Sequence, residues 1–116
     1  MKNTKQSGVM QFVVFCENDR FFGVCLDFNI IVDGLSAKEV QDRVINISYD
    51  HLNTVRKNDL DDSLLNRHAP KEYWEMYEKF QKMNASSSPK IQETRKQPVL
   101  SSYVQLYQNH LGKLVA

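Results

Sequence analysis

The sequence predicts an α+β domain in which a small antiparallel sheet packs against a long helix, with further helices toward the C-terminus. Three observations predict this class. Segments rich in β-branched and aromatic residues recur within residues 9–34, and a stretch with apolar residues at helical spacing comes next. In addition, 41% of the 116 residues are hydrophobic, which is enough for one core. We expect a sheet of three strands, or of four if a later segment joins it.

The predicted strands lie at the start of the chain. Residues 9–16 form the first strand, and residues 17–20 favour a tight turn because Asn and Asp tolerate unusual backbone angles. Residues 21–26 return as the second arm of a hairpin, and residues 30–32 form a third strand. Since the first strand is apolar at consecutive positions, both faces of the sheet need a cover, either a later helix or a second copy of the chain.

A long helix is predicted to begin at Ser36. Ser36 and Glu39 have the spacing of a capping box, and Leu35 and Val40 have the spacing of a hydrophobic staple. Apolar residues at helical spacing continue from Val40 to Val55, so one face of this helix is expected to pack on the sheet.

The second half of the chain predicts two more helices. One begins at Pro70 and carries four aromatic residues on one face, which either close the sheet or anchor a partner. The other is an amphipathic C-terminal helix that docks on its own domain, exchanges with a second copy or folds on a partner. The predicted organisation is a disordered N-terminus at 1–8, an α+β domain at 9–84, a serine-rich linker at 85–99 and the C-terminal helix at 100–115.

The order of these elements resembles the HicB-like antitoxin domain. The resemblance covers about residues 10–56, with Asp27, Gly34, Ser36 and Glu39 at matching positions, and a Pro-Lys-Glu-Tyr-Trp segment beginning at Pro70 is similar to downstream parts of some HicB-like proteins. It implies a partial ribonuclease-H-like fold that binds and occludes a small basic toxin ribonuclease without doing chemistry. Many such antitoxins also carry a DNA-binding module, for which the single C-terminal helix expected here is too little.

Charge is distributed unevenly along the chain. Residues 17–62 hold ten acidic residues against five basic ones, whereas residues 85–116 hold four basic residues against one acidic residue. An acidic body repels a phosphate backbone and attracts a basic protein, so nucleic acid is not the expected partner. The basic tail nevertheless leaves a nucleic-acid-binding module as an alternative.

No pattern in the sequence predicts catalysis, a metal site or a cofactor. Asp27 and Asp33 lie near strand ends where Mg²⁺ ligands could sit, but local backbone bonding is the simpler role. The three histidines are scattered without zinc-ligand spacing. Cys16 and Cys25 are expected to be reduced thiols, with facing positions across the hairpin as an alternative. We therefore predict a protein that is not an enzyme.

The leading hypothesis is a HicB-like antitoxin or an orphan relative, and the alternative is a self-associating scaffold protein. A homo-oligomer is expected. A cytoplasmic location and no contact with membrane are also expected, since no apolar run could span a bilayer and the first residues lack a secretory signal. The residues predicted to bind a partner are acidic or lie on the two later helices: Asp59, Asp61, Asp62, Trp74, Tyr77, Tyr103, Tyr107 and Leu111.

Overall fold

The computed structural model describes residues 2–85 and 99–108. Four strands and two α-helices make up the fold, together with a short 3-10 helix at Asp62–Leu65 between the helices. The four strands form one antiparallel sheet in the spatial order β3-β2-β1-β4. In chain order the elements are β1 at Ser7–Glu17, β2 at Arg20–Cys25, β3 at Ile30–Gly34, α1 at Ala37–Lys57, α2 at Lys71–Ala85 and β4 at Val99–Gln108.

The first three strands form the predicted meander. Asn18 and Asp19 both adopt positive φ, at 54° and 65°, which is the geometry of a two-residue hairpin turn between β1 and β2. Asn29 has a φ of 58° in the turn that leads into β3. Short polar side chains tolerate this region better than branched ones, so the turn residues account for the connections.

The fourth strand corrects the prediction of a C-terminal helix at 100–115. Val99–Gln108 is extended and pairs with β1 from Ser7↔Gln108 to Phe15↔Val99, while residues 109–115 lie outside the described residues. The aromatic and leucine spacing fits a helix, but Tyr103 and Tyr107 are also an even number of residues apart, which places them on one face of a strand. Pairing with β1 favours the strand over the helix because it gives hydrogen-bond partners to the backbone groups on the open edge of β1.

The domain boundaries change with that strand. Because β4 completes the sheet, the predicted domain at 9–84 lacks one of its strands, and Val99, placed in the linker, begins β4. Ala85 ends α2, and the rest of the predicted linker is outside the described residues.

The N-terminus is not the disordered segment predicted at 1–8. Ser7 and Gly8 belong to β1, and Asn3 is buried. The side chain of Asn3 donates from Nδ2 to the carbonyls of Val9 and Leu65, and its Oδ1 accepts from the backbone N–H of Val9 at 2.8 Å. Polar composition predicts disorder here because composition does not show that the Asn3 side chain hydrogen-bonds to the Val9 backbone, beyond the end of β2.

Helix α1 covers one face of the sheet. Ser36 Oγ accepts from the Glu39 N–H at 3.1 Å, as the predicted cap requires, and Val40 and Val44 are fully buried. A Cβ on Gly23 would lie 3.0 Å from the carbonyl oxygen of Val40, so the glycine permits the close approach of helix and strand. The predicted staple is wrong, since Leu35 is 73% exposed.

Helix α2 covers much of the opposite face, which confirms that a later helix closes the sheet. Its partly buried aromatic residues pack against a cluster that contains Val13, Phe15 and Leu26. The Tyr73 ring stacks on Phe15 with centroids 5.8 Å apart. Neither α1 nor the described part of α2 is long and apolar enough to cross a membrane.

Candidate functional site

The three predicted acidic residues lie just after α1, around one lysine. Lys5 Nζ is 3.5 Å from Asp59 Oδ1 and 3.2 Å from Asp62 Oδ1. Asp61 instead accepts the backbone N–H of Ser63, which lowers the pKa of its carboxyl and caps the 3-10 helix. The structure therefore brings Asp59 and Asp62 together around a counter-charge from the N-terminal segment, whereas Asp61 has a local capping role.

Ion pairs also reduce the acidic character elsewhere on the body. Asp33 pairs with Arg20, and Asp42 pairs with Lys38 one helical turn away. The number of acidic residues counted along the sequence therefore overstates the negative charge at the surface of the folded chain. Asp59 remains highly accessible, with its side chain 91% exposed.

The predicted tyrosines serve mainly as core residues. Tyr77 is buried against the second face, and Tyr107 is buried on the α1 side, where its hydroxyl donates to the carbonyl of Thr4 at 2.9 Å. Tyr103 is partly buried and stacks on Phe12 at 4.8 Å. Burial raises the pKa of all three hydroxyls. Leu111 lies outside the described residues.

Trp74 is the predicted aromatic residue that reaches a surface pocket. This pocket has a volume of about 480 Å³ and is lined by His68, Ala69, Lys71 and Trp74. The rings of His68 and Trp74 stack at 5.6 Å, and Trp74 meets Tyr77 edge-on at 6.3 Å. Packing on both sides fixes the indole in place, and a rigid indole at a pocket wall is suited to anchor a partner side chain.

The approach to α2 is held by backbone hydrogen bonds to the end of β2. The His68 N–H donates to the Asp27 carbonyl at 3.0 Å, and the Ala69 N–H donates to the Leu26 carbonyl at 2.7 Å. His68 adopts a φ of 58°, in the left-handed region that residues other than glycine seldom adopt. The prediction missed His68 as a pocket residue because a single histidine ahead of a helix carries no recognisable signal.

Asp27 and Asp33 have separate structural partners. The buried Asp27 carboxylate accepts from the backbone N–H of Gln11 at 2.6 Å and from its Nε2 at 3.1 Å. Burial raises the pKa of Asp27, whereas the hydrogen bond from Arg20 lowers the pKa of Asp33. Within residues 2–85 and 99–108, no group of three or more His, Cys, Asp and Glu side chains is arranged to hold a metal ion.

The two cysteines do not face each other across the hairpin, contrary to that alternative. Cys16 lies opposite Phe21, whereas Cys25 lies opposite Phe12 at the other end of the pairing. Cys25 is buried, which raises the pKa of its thiol to about 11, and both thiols are free.

The four positions that carry the family resemblance all support the fold. Asp27 anchors Gln11, Ser36 and Glu39 cap α1, and a Cβ on Gly34 would lie 3.0 Å from both Glu39 Oε1 and Val40 Cγ1. Comparisons with protein-family models, curated proteins and solved structures gave no match. The local architecture and the surface are thus the basis for any functional proposal.

Proposed function

We propose that this chain is a non-catalytic HicB-like antitoxin, or an orphan relative, that binds and occludes a small basic protein. The observation that carries the proposal is the pocket walled by Trp74 and His68. Large aromatic residues held rigidly at the surface contribute a disproportionate share of binding energy at protein interfaces. Binding would block the partner's own site sterically, so the chain needs no chemistry of its own.

The acidic loop supports a basic partner. Asp59 and Asp62 share the single ammonium group of Lys5, and Asp59 is almost fully exposed. Such a loop can steer a positively charged protein and sets the dependence of the association rate on salt. In this proposal Trp74 supplies affinity and the loop supplies selectivity for charge.

Capture from the native host tests the proposal. The tagged chain is used as bait, retained proteins are identified by mass, and a small basic protein at near-equal amount is the expected product. Purified partner is then titrated against Trp74→Ala, with Met76→Ala as the matched control because Met76 is a partly buried residue of α2 that does not line the pocket. We expect the first variant alone to weaken binding, by roughly tenfold or more.

The acidic loop is tested by neutralisation. Asp59→Asn keeps a residue type that tolerates the positive φ of 50° at this position, and Asp62→Asn is added to it. Asp50→Asn is the control because Asp50 is exposed on α1 and away from this ion pair. Slower association for the double variant supports the proposal. Recovery of the chain alone, or of nucleic acid with steep salt dependence, would favour the two alternative functions instead.

A further inference from the structure

The sheet has two edge strands, β3 and β4, and they differ in how they are protected. Backbone direction along these strands follows from the hydrogen bonds around β1. In an antiparallel sheet the N–H and C=O of one residue point toward the same neighbour, and this direction alternates along the strand. The Gln11 carbonyl accepts from the Leu26 N–H at 2.7 Å, so Gln11 faces β2. Its partner on the other side, Val104, therefore faces away from β1.

The same alternation identifies the outward groups of both edges. On β4 they belong to Ser102, Val104, Leu106 and Gln108. On β3 they belong to Ile31 and Asp33. The Leu26 N–H points toward β1, and so do the backbone groups of Val24, two residues earlier. Because Ile31 is the partner of Val24 on β3, its backbone groups point away from β2. The Asp33 carbonyl does point outward, as its hydrogen bond from Arg43 Nη1 at 2.7 Å requires.

The edge at β3 is closed to further pairing. The strand has five residues, its Asp33 side chain pairs with Arg20 of β2, and Arg43 occupies the outward carbonyl of Asp33. Short length and charged side chains are the usual means by which edge strands avoid adding another strand.

The edge at β4 lacks each of these features. The strand has ten residues, and its sequence Val-Leu-Ser-Ser-Tyr-Val-Gln-Leu-Tyr-Gln contains no charged residue and no proline. Val104 is 47% exposed and Leu106 is 72% exposed, at the positions whose backbone groups point outward. Among the described residues, no strand pairs with this outer edge. In the part of the chain that the structure describes, this edge therefore presents open hydrogen-bonding groups beside the apolar side chains of Val104 and Leu106.

We propose that the outer edge of β4 pairs antiparallel with β4 of a second copy, which joins two sheets of four strands into one of eight. A twofold axis that passes midway between Gln105 of the two copies places Val104 opposite Leu106 of the partner copy, so that outward groups meet outward groups and apolar side chains meet apolar side chains. A charge-free strand can face its own copy without repulsion and offers nothing to a basic protein. The inference is therefore independent of the proposed function.

Three variants test the interface through the mass in solution. Light scattering over a range of concentrations should show twice the chain mass of 13.5 kDa for the natural sequence. Leu106→Lys brings a charge onto each side of the axis and should give a monomer. Val104→Pro removes an N–H that β1 does not use and should do the same. Ile31→Lys is the matched control, an exposed apolar residue on the outward side of the other edge, and should remain dimeric.

Amide exchange measured by NMR provides a position-specific readout. Dimer formation should slow exchange at the amides of Val104 and Leu106, and leave those of Tyr103 and Gln105, which face β1, unchanged. A natural chain that stays monomeric at all concentrations overturns the proposal. So does a dimer that survives both Leu106→Lys and Val104→Pro while circular dichroism shows both variants folded. Loss of the dimer with unchanged capture of a basic partner separates this inference from the proposed function.

Discussion

Tyr103 and Tyr107 lie on the same face of β4, but their hydroxyl groups have opposite environments. The Tyr107 hydroxyl donates to the Thr4 carbonyl, whereas the buried Tyr103 hydroxyl has no hydrogen-bond partner among the described residues. A buried hydroxyl without a partner keeps its desolvation cost and gains nothing in return. The pair therefore allows the same chemical deletion to be made with opposite expected effects.

We expect Tyr103→Phe to leave the free energy of unfolding unchanged or to increase it. We expect Tyr107→Phe to decrease it by about 0.5–1.5 kcal/mol, the usual net contribution of one hydrogen bond. Urea unfolding of both variants measures the difference. Equal destabilisation by the two substitutions would contradict the unpaired hydroxyl at Tyr103.

Asn3→Ala should destabilise the fold by about 1–3 kcal/mol, because it leaves buried backbone groups of Val9 and Leu65 without partners. Gln6→Ala is the control, since Gln6 is exposed in the same segment. Chemical denaturation gives both values. A loss at Asn3 no larger than that at Gln6 would mean that the N-terminal segment does not support the sheet.

Asp27→Asn should change how stability depends on pH. Because burial raises the pKa of Asp27 in the folded state, its contribution is fully present below the unfolded value of about 4 and is lost as pH rises through the folded value. The stability of Asp27→Asn relative to the natural chain should therefore be higher at about pH 7 than at about pH 4.

Asp33→Asn provides the comparison of opposite sign. The pKa of Asp33 is lowered by Arg20, so its contribution is present above the unfolded value and is lost as pH falls through the folded value. The relative stability of Asp33→Asn should fall as pH rises from about 3 to about 7, by a small amount because the side chain is half exposed. Urea titrations at about pH 3, 4 and 7 measure both aspartate variants.

The two thiols should react at very different rates. Cys16 is partly exposed, whereas Cys25 is buried with a pKa of about 11 and therefore carries little thiolate at neutral pH. With iodoacetamide, mass spectrometry should show one rapid addition at Cys16, and the second only after unfolding. Cys16→Ser isolates the slow thiol. Rapid labelling of Cys25 in the folded chain would contradict its position in the core.

A chain that ends at Ala85 should lose its cooperative unfolding transition. It lacks β4, which leaves β1 as an open edge and removes Tyr103 and Tyr107 from the core. Thermal unfolding followed by circular dichroism tests this directly. A cooperative transition at the same temperature as the full chain would contradict the need for β4 and support the predicted domain at 9–84.

Local signals predict the first half of the fold well. Asn18 and Asp19 mark the hairpin turn, Ser36 marks the start of α1, and consecutive apolar residues in β1 require a cover on both faces that α2 provides in part. These features depend on neighbours in the sequence or on a count of apolar positions, both of which a sequence shows directly.

Long-range pairing explains what the sequence does not predict. Tyr103 and Tyr107 satisfy both a helical and an alternating pattern. Residues 99–108 form a strand because they pair with the edge of β1 that β2 leaves open. The ion pairs of Lys5 and the stacking of His68 on Trp74 likewise join residues from separate segments. The acidic loop and the partly buried indole can be anticipated from composition, whereas their neighbours cannot.

The position of β1 between β2 and β4 has a consequence for how the chain reaches its structure. β1 pairs locally with β2 across a two-residue turn, but its other edge meets residues that lie 84 to 101 positions later in the chain, from Phe15↔Val99 to Ser7↔Gln108. Closing so long a loop is slow, and folding rates fall as contacts become more distant in sequence. A nascent chain therefore exposes one edge of the eleven-residue strand β1 until β4 has been synthesised. Yield of folded protein should accordingly depend on temperature and on chaperones during synthesis.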